Sequence, residues 1–201
     1  MKHFEHKNIQ IRVASLGDAP RLIEIYKPYI LHTVITYEYE VPSVDEFENR
    51  IQNTLKTHPY LVAIIDGLIV GYAYAVPYIG RKACDWSVET SIYIDTEYRG
   101  YGVGRALYEA LEDALRAMNV LNLNAAIATP YEEDEYLNLN SVKFHQHMGY
   151  EVVGEFRNCG YKFGKWYKLL WMEKMLGEHS SNPLPVRKFP EVLDTMNLED
   201  R

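Results

Sequence analysis

The stretch with the most evident chemical capacity is Arg99-Gly100-Tyr101-Gly102-Val103-Gly104-Arg105. Glycines let several backbone N–H groups crowd around one anion, and two arginines add full positive charge. A helix starting there contributes the partial positive charge of its N-terminus. Such a segment cradles a pyrophosphate; without a ligand it is a glycine-rich turn. Its spacing is G-x-G-x-G, not the G-x-G-x-x-G of a dinucleotide fingerprint, and Gly104-Arg105-Ala106 stands where a Walker loop needs Gly-Lys-Ser/Thr. Upstream, Glu89 lies between Val88 and Thr90 in the middle of an alternating run. Burial there raises a carboxylate pKa toward the range in which it takes a proton from an ammonium at neutral pH. The structural alternative is a buried glutamate paired with an arginine or tyrosine.

The elements that must position these groups follow from periodicity. Trp86, Val88, Thr90, Ile92 and Ile94 alternate with Ser87, Glu89, Ser91, Tyr93 and Asp95, the period of a strand. After the glycines, Val103, Leu107, Leu111 and Leu115, flanked by Ala106, Ala110 and Ala114, form the apolar stripe of a helix. Upstream, Ile9, Ile11 and Val13 make a first strand. Ser15 to Asp18 and Ser43 to Glu46 read as capping boxes for two helices, with Pro20 suited to the first turn of the earlier one. Tyr60–Ile65 and Leu68–Val76 are strands joined by the hairpin pair Asp66-Gly67. Downstream come a strand over Leu121–Ile127, an acidic run at Tyr131–Leu139 that reads as a solvated face, and a helix from Asn138 ended by Gly149. A final strand pair, Glu151–Phe156 and Trp166–Met175, is linked by Asn158–Lys165. After Leu176 the composition turns to serine, proline and acid. The expectation is one domain over residues 1–176 and a tail over 177–201, ordered against a partner.

The 201 residues suffice for one domain with a full core, and 47% hydrophobic content with seventeen tyrosines indicates a packed globule. A net charge of -7 argues against nucleic acid as a main partner. No apolar run is long enough to span a membrane, so no membrane partner is expected. Cys84 and Cys159 give neither a disulfide framework nor metal spacing, so we expect no metal and a cytoplasmic protein.

The element order β-α-α-β-β-β-α-β-α-β-β is a mixed α/β sheet with helices on both faces. Together with the glycine segment after Tyr93-Ile94-Asp95, it resembles the GNAT N-acetyltransferase family. The spacing Asn138, Ser141, His145, Gly149, Tyr150 matches that family's N-x-x-S-x-x-x-[YH]-x-x-x-G-[FY]. Asp85-Trp86-Ser87-Val88-Glu89 and Cys159-Gly160-Tyr161-Lys162-x-Gly164-x-Trp166 are similar to segments of its phosphinothricin N-acetyltransferase branch. The resemblance covers about residues 9–176, and the acidic run after Pro130 departs from that branch.

The resemblance implies an α/β fold, a mostly antiparallel central sheet flanked by helices. It implies transfer of acetyl from acetyl-CoA to the primary amine of a small molecule, an amino acid or analogue. Peptide, protein or polyamine acetylation, or an acyl-CoA-binding module without catalysis, are the alternatives. The donor site would run through Ile92, Tyr93, Ile94, Arg99, Gly100, Tyr101, Gly102, Val103, Gly104, Arg105 and Ala106. Asn138, Ser141 and Phe144 would complete it from the next helix. Glu89 would be the base. His145, where many relatives have tyrosine, would protonate the leaving thiolate, or else is a satisfied core histidine. Arg81, eight residues before Glu89, would hold an acid group of the acceptor, or is a solvated loop arginine. Tyr37, Tyr161 and Trp166 would wall the acceptor site, or pack in the core or a dimer interface. A homodimer is implied by the same resemblance.

Overall fold

The computed structural model describes residues 8–195, and their order is β1 (Gln10–Val13), α1 (Ala19–His32), α2 (Val44–Leu55), β2 (Tyr60–Ile65), β3 (Leu68–Pro77), β4 (Ser87–Ile94), α3 (Val103–Ala117), β5 (Asn122–Thr129), α4 (Asn140–His147), β6 (Glu151–Lys162) and β7 (Lys165–Met175). The strands form one sheet in the order β1-β2-β3-β4-β5-β7-β6. Every pairing is antiparallel except β4 with β5.

Local chemistry sets these elements. Asp18 accepts from the Ser15 N–H at 2.7 Å and from both terminal nitrogens of Arg12, fixing the turn into α1. Ser43 Oγ accepts from the Glu46 N–H and caps α2. Asp66 and Gly67 both take positive φ, as a two-residue hairpin between β2 and β3 demands. The α3 stripe is buried as its period requires: Leu107, Leu111 and Leu115 are each at most 1% exposed. Each such leucine stabilises the fold by roughly 1.5–3 kcal/mol.

The sheet separates two cores. On one face α3 packs against Leu61, Ala73, Val88, Leu123 and Met172. On the other, α1 and α2 cover Tyr60, Val62 and Tyr72. The alternation of β4 therefore sends Val88 to the α3 face, and Tyr93, which packs on Tyr26 and Tyr29, to the α1 face.

The structure corrects the sequence reading in three places. The segment Asn158–Lys165 is not a link: β6 continues to Lys162, and Phe163-Gly164 makes the turn, both at positive φ. Two register breaks, at Val152/Gly154 and Phe156/Gly160, let the strand carry its extra residues as bulges. Residues 177–195 dock on this chain: Phe189 and Val192 enter the α3 core, and Arg187 N–H and Phe189 N–H donate to Met118 O and Thr57 O, while the end of the expected tail lies outside the described residues. The acidic run is only partly a solvated face. Glu132, Glu133 and Glu135 are exposed, but Asp134 accepts from the N–H groups of Tyr136 and Leu137 and pairs with Lys165.

Candidate functional site

The parallel pairing of β4 with β5 is short. It holds Ser87 to Asn122, Val88 to Leu123 and Glu89 to Asn124, and then stops, although β4 runs on to Ile94 and β5 to Thr129. The strands part directly after Glu89. Thr90 Oγ1 donates to Asn124 O and Asn124 Nδ2 donates to Val88 O, which pins the fork. Beyond it β4 has an open edge inside the sheet, a window between the two faces.

On the α3 face a cavity of about 660 Å³ leads to this window. One end is the glycine segment. Gly100 and Gly102 have φ of 83° and 84°, which only glycine adopts without strain. Gly102 caps α3 without a side chain, and the first intrahelical bond runs from Ala106 N–H to Gly102 O. The N–H groups of Val103, Gly104 and Arg105 thus lie before the helical ladder begins, the usual anion-binding arrangement. Gly104 must be bare, because a Cβ there would stand 2.9 Å from the Phe144 ring. The Arg99 guanidinium lies 5.2 Å over the Tyr29 ring.

Most of the expected donor residues meet here. Ile92, Ile94, Arg99, Gly100, Gly102, Val103, Gly104, Arg105, Asn138, Ser141 and Phe144 all border the cavity. Tyr101 instead packs beside Tyr98, and Ala106 is buried in the helix behind the cradle. Tyr93 turns its ring to the other face, although it borders the narrow cleft described next. Sequence reasoning missed Tyr29, Thr33 and Ile35 at the end of α1, and Tyr136 and Leu137 of the acidic run. Val34 N–H donates to Tyr136 O, tying those two segments together across the cavity.

At the window itself is a cleft of about 50 Å³, bordered by Thr90, Ile92, Tyr108, Ser141 and His145. Glu89 stands at the fork on the α1 face. Burial alone pushes its carboxyl above the usual range. Among the described residues its carboxylate has no hydrogen-bond or ion-pair partner, unlike a glutamate kept for structure. Glu112, for comparison, is clamped by Lys174 and Arg116.

His145 reaches the cleft, 4% exposed. Its Nδ1 lies 2.8 Å from Ser141 O, so Nδ1 carries the proton and donates. Its Nε2 then accepts from Tyr108 O–H at 2.9 Å. Burial lowers the ring's pKa to about 4, against the opposing effect of the Ser141 hydrogen bond. The imidazole is neutral at pH 7 and its single N–H is engaged. The hydroxyl beside it belongs to Tyr108, which sequence reasoning passed over although it interrupts the apolar stripe of the cradle helix. Burial raises the Tyr108 pKa, so the phenol keeps its proton.

The depressed His145 pKa has a consequence for stability. The unfolded chain takes up a proton near pH 6.5, the folded one only near 4, so stability present above 6.5 is lost as pH falls toward 4. Between pH 7 and 5 this amounts to about 2 kcal/mol. Denaturant midpoints at the two pH values should diverge by less in His145→Gln than in the wild type; equal divergence would show that His145 titrates normally.

The four residues expected around the acceptor are not gathered at the fork. Tyr37 donates to Lys168 O and fills the space that Gly160 leaves bare. Tyr161 and Trp166 face each other on the outside of the β6–β7 hairpin, 49% and 56% exposed. Arg81 is exposed in the loop between β3 and β4 and borders none of these cavities.

Comparison with known proteins agrees with this geometry. Residues 11–171 match the model of the acetyltransferase (GNAT) domain. The chain is 29% identical to a phosphinothricin N-acetyltransferase of Streptomyces viridochromogenes, over 94% of this chain and 98% of that one. It is also 29% identical to an L-methionine sulfoximine/L-methionine sulfone acetyltransferase of Salmonella typhimurium, over 85% and 96%. The crystal structure of a phosphinothricin acetyltransferase from Sinorhizobium meliloti in complex with acetyl-CoA superposes with a TM-score of 0.79 at 32% identity, covering 88% of this chain and 93% of that one. A glycine cradle leading to a forked sheet is thus accompanied by a family match along most of the chain. This protein belongs to the GNAT acetyltransferases and is an acetyl-CoA-dependent N-acetyltransferase.

Proposed function

We propose that the protein acetylates the primary amine of a small amino acid or amino-acid analogue, the acceptor class named for its relatives from Streptomyces and Salmonella. The observation that carries this reading is the fork. Strands β4 and β5 part directly after Glu89, with the donor cavity on one face and the carboxylate on the other. The cradle takes the pyrophosphate of acetyl-CoA, and the pantetheine arm follows the open edge of β4 past Ile94 and Ile92. Glu89, its basicity raised by burial, takes a proton from the acceptor ammonium. The free amine attacks the thioester carbon; a C–N bond forms and the C–S bond breaks. The second amine proton is lost from nitrogen and the departing sulfur gains one, so amide, free thiol and one proton result. Tyr108 borders the cleft with its one O–H proton on His145 Nε2, and that proton turns from the imidazole to the departing sulfur as negative charge develops there.

We retain Arg81 as the partner of an acid group on the acceptor, because the loop between β3 and β4 that carries it leads directly into the strand bearing Glu89. Arg81→Met should raise the acceptor KM on the order of 10-fold, with kcat and the acetyl-CoA KM little changed. A thiol-release screen over amino acids, their amides, polyamines, aminoglycosides and peptides tests the reading. Amino acids should be the best acceptors and their amides poor. A polyamine or peptide as best acceptor, or no effect of Arg81→Met, would refute the amino-acid assignment.

The edge strand β6 supports a homodimer. Glu151–Cys159 are exposed throughout, and Val152, Val153 and Phe156 are each more than half exposed, a surface that suits a second copy. The cysteines Cys84 and Cys159 are unpaired, which supports the reducing cytoplasm as its compartment.

A further inference from the structure

The α1 face of the sheet carries another cavity, of about 340 Å³, between α1, α2 and strands β2–β4. Six rings wall it: Tyr26, Phe47, Tyr60, Tyr72, Tyr74 and Tyr93. They are ordered against one another. Tyr60 and Tyr74 stack at 4.8 Å, and Tyr26 meets Tyr93 edge-on at 4.6 Å. Native interiors are packed with few voids larger than a water molecule, so a space of this size with six aromatic walls is a binding shape.

Its place relative to Glu89 is set by strand register. Val76, which borders the cavity, is the cross-strand partner of Glu89. Tyr74 is the partner of Ser91, and Glu89, Ser91 and Tyr93 alternate onto this same face. A molecule with its amine at Glu89 therefore has the aromatic cavity beside it, on the side away from acetyl-CoA.

The walls also state what fits. Aromatic rings receive another ring in offset or edge-on contact. A charged side chain finds no free partner on the border, where the Arg50 guanidinium is paired with Glu38 at 2.7 Å and Glu46 at 2.5 Å, so these groups already satisfy one another.

We infer that this cavity receives the side chain of the acceptor, and that the acceptor is an amino acid with an uncharged aromatic side chain, of the phenylalanine or tyrosine class. The inference rests on the proposed role of Glu89 as base.

The test compares kcat/KM for L-phenylalanine and L-alanine at saturating acetyl-CoA. The wild type should favour L-phenylalanine on the order of 10-fold or more. Thr54→Phe from α2 and Val76→Phe from β3 each fill the cavity, and each should lower that ratio on the order of 10-fold. Acetyl-CoA affinity, measured by calorimetry, reports whether each variant is folded. A wild-type ratio near one overturns the inference whatever the variants do, and so does an unchanged ratio in folded variants. Turnover of amines without this preference leaves Glu89 chemistry standing and removes only the aromatic acceptor. Tight acetyl-CoA binding with no turnover of any amine removes both.

Discussion

Glu89→Gln is expected to keep the fold and acetyl-CoA affinity while losing about 10²–10⁴-fold in kcat at pH 7. Glutamine matches the carboxylate in size and cannot take a proton. The site gives no sign that the carboxylate is needed for stability, since no described partner is orphaned by the change. The deficit should shrink as pH rises, because more of the acceptor is then already free amine. In the wild type, kcat/KM should fall on the acid side as Glu89 protonates, at a pH above the ordinary glutamate range because burial disfavours its charge. Steady-state rates of thiol release across pH measure both effects. A glutamine variant with near-normal turnover at pH 7 would show that Glu89 is structural.

The second large effect belongs to the cradle. Gly102→Asp should weaken acetyl-CoA binding on the order of 10²-fold or more, by loss of charge-assisted hydrogen bonds to the pyrophosphate. An aspartate there caps α3 with its own carboxylate, taking the N–H groups meant for the ligand and repelling its charge. It must also adopt a φ of 84°, which strains any residue with a Cβ. Gly104→Asp should have a like effect for a different reason, since its Cβ meets the Phe144 ring that borders the same cavity. Calorimetry on both variants decides the matter: unchanged affinity in both would remove the pyrophosphate assignment.

The sequence disclosed the frame because its signals are local. The alternation of β4, the glycine turn and the leucine stripe of α3 are properties of neighbouring residues, and they fold as their periods dictate. The fork after Glu89 is a matter of strand pairing, so no local pattern announces it. Tyr108 was hidden in an apolar stripe, where a tyrosine reads as core; its hydroxyl matters only because α4 brings His145 to it. Tyr29 and Ile35 were hidden likewise, their place in the donor cavity depending on how α1 crosses the sheet. The β6–β7 hairpin was misread because Gly160 adjoins a bulge inside the strand and only Gly164 belongs to the turn. Phe189 and Val192 lay in a proline-rich stretch that looked like a tail, yet these two buried side chains, with Val186 and Leu193 packed beside them and a few backbone bonds, dock it.

The most direct test of acetyl transfer is the identity and stoichiometry of the product. The protein is incubated with L-phenylalanine and acetyl-CoA carrying heavy carbon in its acetyl group; released thiol is counted and the amine product weighed by mass spectrometry. The account predicts one labelled acetyl group on the α-nitrogen for each thiol released. Thiol release without labelled amide, or acetyl-CoA binding with neither product across the acceptor panel, would contradict it.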